Sequence, residues 1–83
     1  MKVRLYAQRE FGVEELGAIV LKGDQLVAEP ETTALVNLLS EPLVVYQGAE
    51  HVEIDPKKEP QGFLRALPRA VRGSYFLAGQ LEE

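Results

Sequence analysis

Lys2-Val3-Arg4-Leu5-Tyr6-Ala7-Gln8 places Val3, Leu5 and Ala7 on one side of an extended chain and Lys2, Arg4, Tyr6 and Gln8 on the other. A period of two held this long predicts a strand over 2–8 that is covered on one face. Arg9 to Leu16 keeps no period and reads as a loop, with a turn of helix near Val13 to Leu16 and Phe11 tucked in as an anchor. The runs 17–22 and 25–28 then flank Gly23-Asp24. Glycine at the first central position of a two-residue turn fits type II′, which needs φ above zero there, so these runs are expected as antiparallel neighbours. Ala18 to Leu21 does not alternate, the mark of a strand partly covered on both faces or twisting past an edge.

Glu29-Pro30 ends that strand, because proline has no ladder donor. Ala34, Leu35, Leu38 and Leu39 follow at spacings of three and four, predicting a short helix with one flank on the sheet. Thr32 or Thr33 stands where a cap is needed, Glu31 lies near the positive end, and Glu41-Pro42 stops the helix. Leu43 to Tyr46 is strand-like by composition and His51 to Ile54 alternates with Val52 and Ile54 inward, which gives a second hairpin around Gly48 unless that glycine sits in a bulge. Asp55 to Pro60 is a loop. Phe63, Leu64 and Leu67 mark a second helix that begins near Pro60, with Asp55 or Glu59 as cap, and ends at Pro68. Ser74 to Leu81 is the last strand, with Gly79 marking a bulge or a close backbone approach. The expected fold is therefore α+β: an antiparallel or mixed sheet of five or six short strands with two short helices packed on it.

Size agrees with this reading. A chain of 83 residues supports one domain, residues 1–83, since two would each need a core. Ordering it costs on the order of 100 kcal/mol in conformational entropy. The hydrophobic share of 46% can balance that with little to spare, which argues against a large enclosed ligand cavity. The sequence has no cysteine, so no disulfide-linked partner and no thiolate chemistry is available. No apolar run approaches the roughly 20 residues of a membrane span, and no signal peptide is visible, so the expectation is a cytoplasmic protein without membrane attachment.

Charge and aromatic placement supply the candidate functions. The net charge is −4, with residues 31–56 acidic and free of Lys and Arg, and the segment after them basic. Lys57, Lys58, Arg65, Arg69 and Arg72, followed by Tyr75 and Phe76, are materials for nucleic-acid binding: charge for phosphates and rings for unpaired bases. Against this, Pro68 interrupts the helix on which Arg65, Arg69 and Arg72 would line up, and an acidic chain attracts polyanions weakly. The leading expectation is protein binding or self-association, including a homodimer, with nucleic-acid binding as the alternative. Tyr6 lies on the polar side of its strand, and with the first and last strands as neighbours it would join Tyr75 or Phe76 in an aromatic patch opposite the helices.

Catalysis ranks last. His51 stands alone with Glu53 two residues on, short of the ligand set of a tight zinc site, and reads as an exposed strand residue. Ser40, Ser74, Thr32 and Thr33 sit at element boundaries, where turns and caps explain them. No glycine-rich phosphate loop is present. No catalytic residue, metal site or cofactor is assigned from the sequence.

Overall fold

The structure, a computed structural model, describes residues 1–70 and 76–83. Its alternating first segment is strand β1 (Lys2–Arg9), with Val3, Leu5 and Ala7 buried as the pattern predicts. β2 (Gly12–Lys22) returns antiparallel to it, and β3 (Gln25–Glu29) pairs with β2 through the Gly23-Asp24 turn, Lys22 facing Gln25. Gly23 has φ 63° and Asp24 does not have positive φ, as a type II′ turn requires. Helix α1 (Thr33–Leu38) and strands β4 (Leu43–Gln47) and β5 (Glu50–Ile54) follow, then helix α2 (Pro60–Ala66), a 3-10 turn (Leu67–Arg69) and β6 (Leu77–Glu82). Residues 74–75, expected to open the last strand, lie outside the described residues. β6 pairs antiparallel with β1, so the ends of the chain meet in one ladder.

The α+β class is as expected, but the single sheet is not. The strands among the described residues divide into a four-stranded antiparallel sheet, ordered β3-β2-β1-β6, and a separate β4-β5 hairpin. The 3-10 turn lies against β6, and a cleft parts that strand from the hairpin. Only the root of the hairpin reaches the interior: Leu43 is fully buried, and Val45 and Ile54 pack on the core from its edge.

The Arg9 to Leu16 stretch is also not a loop. β1 runs on to Arg9 and β2 begins at Gly12, closing a third hairpin over Glu10-Phe11. The reason the alternation looked broken is a bulge: Leu5 faces Gly17 while Tyr6 faces Glu15, so Leu16 is extra and the phase of β2 slips by one residue. Gly17 has φ 140°. A Cβ there would run into the Glu29 carbonyl oxygen and come within 2.8 Å of Pro30 Cδ and 2.9 Å of Leu35 Cδ1. The backbone at the end of β3 and the side chains of Pro30 and Leu35 are thus packed directly on the backbone of the bulge. Phe11, expected as an anchor, is 96% exposed at the tip, because the hairpin carries it past the end of the sheet.

One layer fills the space under the sheet. Leu35 and Leu38 of α1, Phe63 and Leu64 of α2, Leu67 and Leu43 pack on Val3, Leu5, Ile19 and Ala28. Neither helix has a side-chain cap. Thr32 caps α1 only through its carbonyl, which accepts from Val36 N at 2.9 Å, and Glu59 does the same for Phe63 N at 2.8 Å. Helices of this length hold their shape through packing.

Candidate functional site

Opposite strand residues share a face, so Leu43/Ile54, Val45/Val52 and Gln47/Glu50 form one side of the β4-β5 hairpin. That side looks toward α2 and the free edge of β6. Between them lies a cleft of about 570 Å³, walled by Val45, Val52, Ile54, Ala66 and Leu81, with Arg65 and Arg69 among its polar groups. Gly62 and Ala66 sit one turn apart on α2 and keep its cleft side low. Arg65 and Arg69 are likewise four residues apart, and the 3-10 turn begun at Leu67 still leaves both on the cleft.

The charges of the four-stranded sheet are arranged differently. Arg4 Nη1 donates to Glu15 Oε1 at 3.0 Å and Arg4 Nε to Glu82 Oε2 at 2.8 Å. The bonds to Glu82 and then Glu15 hold the Arg4 guanidinium above its ordinary pKa. Arg9 pairs with Glu14 and Lys22 with Glu29. Arg65 and Arg69 form no ion pair among the described residues. Their helical neighbours at three and four residues are Gln61, Gly62, Pro68 and Ala66, none of which offers a carboxylate.

Of the expected basic set, then, Arg65 and Arg69 come together, and Lys57 and Lys58 do not join them. Lys57 lines a second cleft of about 360 Å³ with Asp24, Gln25 and Leu39. Its backbone N–H donates to Asp55 Oδ1 at 2.8 Å, which turns the loop. Lys58 is exposed beside it, and Arg72 lies outside the described residues. Of the expected aromatic patch, Tyr6 and Phe76 are among the described residues. Tyr6 lies half-buried on the open face of the sheet, its ring close to Gly79. Phe76 is packed against the core, and Tyr75 lies outside the described residues. Gly79 therefore does mark a close approach, and the β1-β6 register shifts in the same place.

His51 is exposed on the far side of the hairpin from the cleft, opposite Tyr46, with ring centroids 6.0 Å apart. Among the described residues no group of three or more His, Cys, Asp or Glu is placed to hold a metal ion. No helix among them is long and apolar enough to cross a membrane. The cleft walls Val45 and Leu81 were not singled out in the sequence. Their only signal there is the inward phase of Val52 and Ile54, whose partners on β4 become known once the hairpin register is known. Compared with protein-family models, with curated proteins and with solved structures, the chain matches none.

Proposed function

We propose that this protein is a small protein-interaction module that associates with further copies of itself, and that the cleft between β6 and the β4-β5 hairpin is its contact surface. The observation that carries this reading is an apolar groove whose two arginines have no carboxylate of their own. A groove of this size lies within the range of ordinary binding sites, and its wall residue Val52 is 46% exposed. Filling it removes apolar surface from water, while carboxylates from the partner meet Arg65 and Arg69 with most of their water excluded. Nucleic-acid binding is the weaker reading, because Lys57 belongs to a different cleft and the described residues that line the cleft at Arg65 and Arg69 include no aromatic ring on which a base could stack.

Sedimentation across a concentration series tests this, run on the wild type and on the double variant Arg65→Glu/Arg69→Glu. The expected result is a reversible oligomer that weakens with added salt and is lost in the variant. A wild type that stays monomeric at the highest attainable concentration, yet is retained on single-stranded oligonucleotides through those arginines, would replace it with the nucleic-acid reading.

A further inference from the structure

The cleft has a counterpart on the same chain. The β1-β2 hairpin extends past the sheet as an arm, and at its tip Phe11 is 96% exposed with Val13 58% exposed beside it. Glu10, next to Phe11, has no ion-pair partner among the described residues, whereas Glu14 and Glu15 are held by Arg9 and Arg4. The arm thus presents an aromatic side chain and one uncommitted carboxylate on a two-residue turn. The cleft presents aliphatic walls and two uncommitted guanidinium groups.

Within one copy they cannot meet. Leu81 of the cleft stands opposite Val3 on β1, while the arm ends at the Arg9-Gly12 pair, six residues further along the strand. At roughly 3.3 Å per residue that is about 20 Å.

We infer that the occupant of the cleft is the Glu10-Phe11 tip of a second copy, with Phe11 between Val45, Val52 and Ala66 and the Glu10 carboxylate on Arg65 and Arg69. This rests on the reading of the cleft as a protein contact. Among the other acidic segments, Glu50 to Glu53 has beside it Tyr46, 75% exposed with its ring 6.0 Å from that of His51, and Glu82-Glu83 has no strongly exposed aromatic beside it among the described residues, whereas Phe11 is 96% exposed at a tip. The two-residue turn and the β1-β2 ladder up to the Arg9-Gly12 pair hold the arm before it docks, so little order is lost on binding. Arm and cleft lie on different parts of the surface. A single docking is therefore head-to-tail, and two dockings in exchange close a dimer.

The chain has no tryptophan, so Phe11→Trp gives a sole reporter at the tip. Its emission should shift to the blue as the protein is concentrated, and should not shift when Arg65→Glu/Arg69→Glu is present in the same chain. A mixing experiment then assigns the two halves. Phe11→Ser/Glu10→Lys disables the arm, and Arg65→Glu/Arg69→Glu disables the cleft. Each alone should sediment as a monomer, and a mixture should recover a 1:1 complex, since each variant keeps the half that the other lacks. Circular dichroism confirms that both fold, as all four positions are exposed. Loss of association in the cleft variant with none in the arm variant would overturn this inference and leave the cleft reading standing. Association unaffected by either variant would overturn both.

Discussion

The open face of the four-stranded sheet and the cleft beside β6 both carry arginine, and they differ in what surrounds it. On the sheet, Arg4 lies between a carboxylate from β2 and one from β6, because register sets Glu15 and Glu82 on the same face as Arg4. In the cleft, Arg65 and Arg69 follow each other along α2 and the 3-10 turn with no acid within one turn of either, and the strand across from them offers Gln80 and Leu81. Strand pairing brings charges from distant parts of the chain together and settles them. A short helix at the rim of a split sheet leaves its charges uncommitted. On the reading proposed for the cleft, exposed charge without a partner beside an exposed apolar wall marks the contact surface, and exposure alone does not.

Both regions rest on one layer, so the largest effect should come from Phe63. Phe63→Ala empties a fully buried site beneath both. It should cost about 3–5 kcal/mol, enough to leave so small a domain largely unfolded in urea titrations. Gly17→Ala acts on the sheet side alone. Strain at φ 140° and the encroachment on Pro30 and Leu35 should cost roughly 3 kcal/mol by thermal melting. A loss of a few tenths would show that the end of β3 and α1 can both retreat from the bulge.

Next come changes that separate the two surfaces without unfolding either. Arg65→Ala with Arg69→Ala should leave stability within about 0.5 kcal/mol of the wild type, while the sedimentation signal of association falls and its salt dependence disappears. Arg4→Ala should do the reverse and do it least. It should lower the melting temperature slightly at low salt, make no difference at high salt, and leave association unchanged, because exposed ion pairs are screened by water and salt. If Arg4→Ala abolished association and the cleft variant did not, the contrast between the two surfaces would be inverted.

Much of the architecture was legible from local pattern. The Gly23-Asp24 turn, the one-sided burial of β1, and the burial of Leu35, Leu38, Phe63 and Leu67 all follow from periods of two or of three and four that the structure preserves. The Glu10-Phe11 arm was hidden because the Leu16-Gly17 bulge shifts the phase of β2, and a broken period looks like a loop. The candidate surface was legible only in pieces. Arg65 and Arg69 stood out by spacing, but their separation from Lys57 depends on which side of the layer the Asp55-Lys58 loop passes, and no local rule sets that. Phe76 packs against the core just before β6, a placement its alternation with Leu77 and Ala78 does not specify.

Apart from the Arg9 to Leu16 stretch, the amino-acid order by itself determined which segments are extended, which are helical, where glycine must turn the chain and which side chains leave water, since each depends on neighbours a few positions away. Tertiary structure decided that the strands form two sheets, that a cleft opens between them, and that Phe11 and Arg65 lie at separate sites too far apart to meet in one molecule. Those outcomes depend on how β6 docks on β1 and how α2 wedges beside it, and such long-range contacts are chosen by packing of the whole layer, which no stretch of sequence contains.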